Sequence, residues 1–259
     1  MASALLFDST KCIGCRSCES GCNERWKLPY DDSVAAQERV SANKLTTVRT
    51  FGERYGRKLC MHCLEPACAS ACPVGALAKT PRGPVVYEEA KCIGCRYCIL
   101  ACPFEVPVYT WDSPLPKVRK CDQCASRQSK GLPTACTEAC PTGATISGDR
   151  KALIDEARNR INASPADYFN RIYGLEEVGG TSVLMIGAVP MEQLGMPAGL
   201  RKEPLPMLTW RALSLIPDVV SLGSVLLGGV WWITHRRDEV AAAEGGTNRG
   251  RVQRKEVLP

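Results

Sequence analysis

The feature that most constrains this chain is the spacing of its cysteines: sixteen of them fall into four quartets within the first 140 residues. The quartets are Cys12, Cys15, Cys18 and Cys22; Cys60, Cys63, Cys68 and Cys72; Cys92, Cys95, Cys98 and Cys102; and Cys121, Cys124, Cys136 and Cys140. Pro73, Pro103 and Pro141 directly follow the last member of the final three quartets. Three thiolates on one tight loop can each take a corner of an iron–sulfur cubane, while a fourth followed by proline reaches the other cluster of a pair. The spacing therefore predicts four [4Fe–4S] clusters.

Two simpler uses of cysteine fit less well. Closely spaced Cys-x2-Cys-x2-Cys runs are poorly placed to bridge distant strands as disulfides. Paired Cys-x2-Cys knuckles suit tetrahedral zinc, but zinc explains neither the recurring x3 spacing to the fourth cysteine nor the prolines after it.

Only 6% of the 259 residues are aromatic, and the cysteine-rich part holds few long apolar runs. The clusters must then supply much of the core, and the metal-free chain should be largely unfolded. The net charge is +6, but the basic residues are spread out with no basic motif interleaved with aromatics, so no nucleic-acid partner is expected. Arg25, Lys27, Arg39, Lys44, Arg49, Arg54, Arg57 and Lys58 lie between the first two quartets. Two uses are open for them: offsetting the anionic clusters or docking an acidic partner.

The quartets form an internal repeat, since Lys11-Cys12-Ile13-Gly14-Cys15-Arg16 returns as Lys91-Cys92-Ile93-Gly94-Cys95-Arg96. That argues for two ferredoxin-like units built on one pattern. Gly14 and Gly94 are candidate cofactor-binding residues, because a missing side chain lets backbone amides approach a cluster; an ordinary turn glycine fits the same geometry. His62 is a candidate packing or hydrogen-bonding neighbour of a cluster rather than a ligand. Strands are predicted over 4–7, 85–87 and 145–146, and a helix over 150–161 capped by Asp149, with Leu153, Ile154, Ala157 and Ile161 on its apolar face. Thr181–Val189 reads as a further strand. Pro190, Pro197, Pro204 and Pro206 then break the chain into a stretch that is either an extended segment over a partner or a loose linker.

From Ala212 to Thr234 the chain carries one charge, Asp218. A helix over that stretch spans about 34 Å, enough for a bilayer core of about 30 Å. Pro217 and Asp218 fall in its first turns, and Trp231 and Trp232 sit where aromatic belts lie, ahead of His235-Arg236-Arg237. Ser224 and Gly228 offer a small-residue seam to another helix. The arginines beyond the helix predict a cytoplasmic tail and an extracytoplasmic cluster region, opposed by Arg201, Lys202 and Arg211 on the near side. Residues 1–4 hold neither a twin-arginine pair nor an apolar signal region, so export bound to a signal-bearing partner is expected.

The expected class is thus α+β: two ferredoxin-like dicluster units of short strands and helices, plus one C-terminal transmembrane helix. The expected organisation is a four-cluster region over 1–148, a helix and strand closing the globular part over 149–189, a proline-rich linker over 190–211, the transmembrane helix over 212–234 and a basic disordered tail over 235–259.

Nearly the whole chain resembles the four-cluster iron–sulfur subunits of membrane-bound respiratory oxidoreductases. Beyond the quartets, the resemblance rests on Cys60-Met61-His62-Cys63, Cys102-Pro103-Phe104, Cys140-Pro141-Thr142-Gly143-Ala144, Tyr173-Gly174-Leu175 and Gly179-Gly180-Thr181. These are similar to subunits of the formate dehydrogenase-N and hydrogenase-2 types. Leu6-Phe7-Asp8-Ser9-Thr10 and the run from Gly187 to Leu194 lean toward the hydrogenase type. The resemblance implies a non-catalytic relay from a catalytic large subunit, nickel–iron or molybdenum/tungsten, to an integral-membrane cytochrome b or quinone-reactive subunit. It also implies a pairing of quartets. Cys12, Cys15 and Cys18 would share a cluster with Cys140, and Cys121, Cys124 and Cys136 with Cys22. Cys60, Cys63 and Cys68 would share one with Cys102, and Cys92, Cys95 and Cys98 with Cys72. The alternatives are a quinol-fed wire to a molybdenum reductase of the dimethyl sulfoxide or polysulfide reductase type, and an iron–sulfur sensor. The sequence has no Cys-x2-Cys-His haem site, no Gly-x-Gly-x2-Gly loop and no nucleophile constellation, so no other site for bond chemistry is expected.

Overall fold

The computed structural model describes residues 3–245. Among the described residues there are nine short strands: β1 (Ser3–Asp8), β2 (Thr47–Phe51), β3 (Arg54–Lys58), β4 (Leu77–Lys79), β5 (Val85–Tyr87), β6 (Val108–Tyr109), β7 (Val118–Arg119), β8 (Thr145–Asp149) and β9 (Val183–Ile186). The helices are α1 (Ser17–Trp26), α2 (Ala67–Ser70), α3 (Tyr97–Leu100), α4 (Ala125–Gln128), α5 (Ala135–Glu138), α6 (Arg150–Ala163), α7 (Leu205–Leu213) and α8 (Ile216–Ala243). The class is mixed helix and strand in small sheets, as expected.

The apolar run Ala4-Leu5-Leu6-Phe7 makes β1 a strand buried on both faces. It lies at the centre of a three-stranded sheet, antiparallel to β8 and parallel to β9. Alternation along the strand divides the core in two. Ala4 and Leu6, with Leu184 and Ile186 of β9, pack under α6 against Leu153, Ala157 and Ile161. Leu5 and Phe7, with Val183 and Met185, face the opposite way into a cluster containing Cys18, Cys60, Cys136, Met61 and Tyr173. The sheet is thus a wall between an ordinary helix-on-sheet core and the cysteines.

Helix α6 begins where its sequence directs. The Asp149 side chain accepts hydrogen bonds from the N–H groups of Lys151 and Ala152, satisfying two otherwise free donors of the first turn. The remaining strands form three antiparallel hairpins, β2–β3, β4–β5 and β6–β7. The last two hairpins contribute Leu77, Val85 and Val118 to a small core around Cys98, with Cys68, Cys72 and Cys92 against it.

Prolines decide the length of the cysteine helices. Helices α2, α3 and α5 stop after four residues each, just ahead of Cys72-Pro73, Cys102-Pro103 and Cys140-Pro141, because the residue before proline is driven out of the helical region. Cys22 has no proline after it, and α1 runs on for ten residues to Trp26.

Residues 1–207 and 208–259 separate into two compact units. The stretch over 190–211, expected to be too broken for regular structure, holds a 3-10 turn at Met191–Leu194 and the start of α7 at Leu205. The apolar helix also differs from the expected 212–234: α7 and α8 are separated at Ser214-Leu215, α8 starts at Ile216 and it runs to Ala243. Pro217 is the reason for the break, since it brings no N–H and its ring collides with the preceding turn. The continuation to Ala243 carries the helix through part of the predicted tail, where the i,i+3 pair Arg236–Glu239 supports it. The rest of that tail, over 246–259, lies outside the described residues. Among those residues, Leu205–Ala243 is the one helical stretch long and apolar enough to cross a membrane, and none of its apolar window is buried.

Candidate metal centres

None of the sixteen cysteines is paired in a disulfide. Each quartet turns sharply at a left-handed residue beside its second cysteine: Arg16 after Cys15, His62 before Cys63, Arg96 after Cys95 and Gln123 before Cys124, with φ between 48° and 62°. Four non-glycine residues in this sparsely populated region mark loops held by their surroundings. Gly14 and Gly94 supply a second left-handed turn, at φ 71° and 74°. Each also has an aromatic neighbour: a Cβ on Gly14 would stand 2.3 Å from the Tyr55 ring, and one on Gly94 would stand 2.8 Å from the Tyr109 hydroxyl. Room for a tyrosine is thus a use of these glycines that sequence alone did not reveal.

The cysteines meet across quartets. Cys12 lies in the field of Cys15 and Cys140, whereas Cys22 is nearest electrostatically to Cys136 and Cys124. Cys63 is surrounded by Cys60, Cys102 and Cys68, and Cys98 by Cys92, Cys95 and Cys72. In each of these cases the fourth cysteine of one quartet shares an electrostatic neighbourhood with cysteines of another quartet. No three Cys, His, Asp or Glu side chains among the described residues converge tightly enough for a single ion. A cubane takes its four thiolates at separate iron corners, so it asks for looser convergence than one tetrahedral ion with bonds of about 2.3 Å does.

Burial makes these thiols costly to ionise without a metal. It pushes Cys18 and Cys98 up to about 11 and Cys22 and Cys68 up to about 12, and neighbouring cysteines add repulsion. Cys121 is also pushed well up, again by burial first and then by Cys22 and Cys60. A polycationic iron–sulfide core reverses that balance, since a coordinated thiol is deprotonated outright. Two of the three cysteines after the short helices are prepared differently, whereas burial keeps Cys102 above the usual thiol range. Burial acts against Cys72, but the backbone N–H groups of Leu77, Val74, Ala76 and Gly75 hold it below the usual thiol range. The Ala76 N–H donates to Cys72 Sγ at 3.2 Å. Cys140 is lowered in the same way by the amides of Thr145, Thr142 and Ala144 and the Thr142 hydroxyl, against burial. The donor set therefore fits [4Fe–4S] clusters: soft thiolates, apolar surroundings and amides aimed at sulfur.

Buried cations complete the electrostatics. Arg57 donates from Nε to Thr46 Oγ1 at 3.1 Å and from Nη1 to Thr145 Oγ1 at 2.9 Å. Burial pulls its guanidinium down, and the adjacent Cys136 and Cys18 more than offset that. Of the eight basic residues between the first quartets, Arg57 and Arg25 stand among cysteines, and Arg25 also pairs with Asp122 at 2.6 Å. Lys44 instead pairs with the buried Glu19 at 2.6 Å, and Lys27, Arg39, Arg49 and Arg54 are exposed. Sequence reasoning missed Lys120, which is buried although Lys11 and Lys91 at the matching Lys-Cys positions are exposed. His62 is fully buried and accepts a hydrogen bond at Nδ1 from the Val85 N–H at 2.9 Å. That places it as a neighbour of the second quartet.

A family model for a 4Fe-4S dicluster domain matches residues 53–150. The chain is 32% identical to the hydrogenase-2 operon protein HybA of Escherichia coli O157:H7, over 86% of this chain and 83% of that protein. The chain belongs to the iron–sulfur electron-transfer subunits of the hydrogenase-2 and formate dehydrogenase type. It is also 34% identical to the nitrate-inducible formate dehydrogenase iron–sulfur subunit of Escherichia coli K12, over 78% of this chain and 73% of that protein. A third relative, the formate dehydrogenase iron–sulfur subunit of Haemophilus influenzae, is 33% identical over 88% of this chain and 78% of its own length. This iron–sulfur subunit accordingly carries multiple [4Fe–4S] clusters and relays electrons.

Proposed function

We propose that this subunit holds four [4Fe–4S] clusters and conducts electrons from a hydrogenase or formate dehydrogenase-type catalytic subunit to a quinone-reducing membrane subunit, with α8 in the bilayer. The observation that supports the reading is the electrostatic company of the fourth cysteines, Cys140 acting on Cys12, Cys136 and Cys124 on Cys22, Cys102 on Cys63 and Cys72 on Cys98, which is what pairing the first quartet with the fourth and the second with the third requires. The ligand sets are then Cys12, Cys15, Cys18 and Cys140; Cys121, Cys124, Cys136 and Cys22; Cys60, Cys63, Cys68 and Cys102; and Cys92, Cys95, Cys98 and Cys72.

Bound clusters supply one-electron transfer at iron with no bond made or broken in substrate. The protein keeps its side of that chemistry dry and electrically balanced. Arg57 offsets the thiolates Cys18 and Cys136, while the turns after Cys72 and Cys140 direct N–H dipoles at sulfur. Cys15 is exposed, and Ile13 and Ile93 in the matching loops are 59% and 66% exposed, which suits those two loops to receive the partner subunits. Arg236 and Arg237 beyond the apolar stretch support a cytoplasmic C-terminus and an extracytoplasmic cluster region.

Metal analysis of the complex that co-purifies with this chain from detergent-solubilised membranes tests the assignment. Nickel beside excess iron identifies the hydrogenase type, and molybdenum or tungsten the formate dehydrogenase type. Iron far below about sixteen per copy of this subunit contradicts four clusters.

A further inference from the structure

Lys120 is 4% exposed and its Nζ is surrounded by acceptors from three places in the chain. It donates to the Cys121 carbonyl at 2.8 Å and to the Val85 carbonyl, and it approaches Cys60 Sγ at 3.9 Å. Three acceptors match the three N–H bonds of an ammonium. Val85 also donates its N–H to His62 Nδ1, so one β5 residue anchors both Lys120 and the imidazole of the Cys60–Cys63 loop. Lys79 completes this polar group from the other side, donating to the carbonyls of His62 and Cys63 at 2.9 and 2.8 Å. By contrast Arg57, the buried cation of the other unit, has Cys136, Cys18 and Cys121 as its sulfur neighbours.

We propose that Lys120 is a positioning residue for the electron's step between the two ferredoxin-like units, raising the potential of the cluster on Cys60, Cys63, Cys68 and Cys102. The proposal rests on the four-cluster reading. In that step one electron leaves the cluster on Cys22, Cys121, Cys124 and Cys136, which is oxidised, and enters the cluster on the Cys60 side, which is reduced. No atom or proton moves. The reduced cluster carries one more negative charge, and an ammonium held in a low-dielectric interior favours it. Lys120 reaches the Cys60 sulfur itself but only the carbonyl of Cys121, so its effect falls more heavily on the Cys60 side. A lysine serving packing alone would leave potentials unchanged when its stem is kept.

The test is a redox titration followed by electron paramagnetic resonance on the intact detergent-solubilised complex. Wild type is compared with Lys120→Met, which keeps the stem, Lys120→Gln, which keeps donors without charge in case methionine prevents assembly, and Lys120→Arg, which keeps the charge. The expected result is a negative shift of one midpoint in the Met and Gln variants, beyond the scatter of the other three, with Arg close to wild type. Unmoved midpoints in the Met and Gln variants, an equal shift of all four, or an Arg variant displaced as far as Met overturns the proposal while leaving four clusters intact. A wild-type spin and iron count short of four clusters overturns the four-cluster reading and the proposal with it.

Discussion

Replacing Lys44 by methionine removes one charge from a pair that water does not reach. Lys44 Nζ stands 2.6 Å from Glu19 Oε2, with side-chain exposures of 1% and 0%. Glu19 also accepts from the Val48 N–H, and it follows Cys18 on α1, three residues before the helix's other cysteine, Cys22. Breaking such a pair from one side leaves a buried, uncompensated carboxylate and costs about 3 to 5 kcal/mol. That is roughly two to three and a half powers of ten in an equilibrium or, where the contact is lost on opening, in a rate. The second partner, Glu38, is 44% exposed and adds at most about 1 kcal/mol. Unfolding of a cluster protein is not two-state, so the assay is the rate at which the clusters' visible absorption bleaches in denaturant. Lys44→Met should bleach far faster, and Glu19→Gln with Lys44→Met should recover more than half of the loss. The pH dependence has a definite sign. Burial already holds the Glu19 carboxyl above the usual carboxylate range, against the lowering by Lys44 and the Val48 N–H. A raised carboxyl contributes stability that is complete below its unfolded value of about 4.3 and disappears as pH rises through the folded value. Without Lys44 the folded value rises further, so the variant's deficit should be largest at alkaline pH and shrink as pH falls. A single variant within about 1 kcal/mol of wild type, or a double variant no better than the single, refutes the reasoning.

Three other predictions concern packing and ligand exchange. Cys22→Ala should cost the cluster of the fourth quartet and spare that of its own loop, leaving about twelve irons per chain; loss of the Cys12–Cys15–Cys18 signal instead would contradict the exchange. Gly94→Ala places a methyl 2.8 Å from the Tyr109 hydroxyl at φ 74°, so it should destabilise by about 1 to 3 kcal/mol, and Tyr109→Phe should relieve part of that in the same bleaching assay. Leu184→Ala, at a fully buried β9 position under α6, should cost about 2 to 5 kcal/mol; bleaching at the wild-type rate would show that the sheet core does not limit cluster retention.

Local signals carried far into this structure. The apolar β1 run, the 85–87 strand, the Asp149 cap and the apolar face of α6 are all announced by sequence patterns a few residues long, and each stands where it was expected. The left-handed turns at Gly14 and Gly94 were likewise visible in the repeated Cys-Ile-Gly-Cys. What sequence pattern could not carry was identity of environment. Lys11, Lys91 and Lys120 each precede the first cysteine of a quartet, yet Lys120 is buried because β5 and the Cys60 loop fold over it. The Glu19–Lys44 pair joins residues on separate segments with no periodicity to announce it. The helix boundaries near Pro217 and Ala243 were displaced because hydropathy marks where a helix is apolar, not where it starts or stops.

The relay itself is tested most directly by interrupting it in the intact complex. Cys95→Ala should weaken or remove the cluster at one end of the chain, and quinone-linked turnover should collapse while dye-linked turnover by the catalytic partner stays near wild type. Quinone-linked turnover that survives with that cluster's spectroscopic signal gone would mean that electrons do not pass through the four clusters in series.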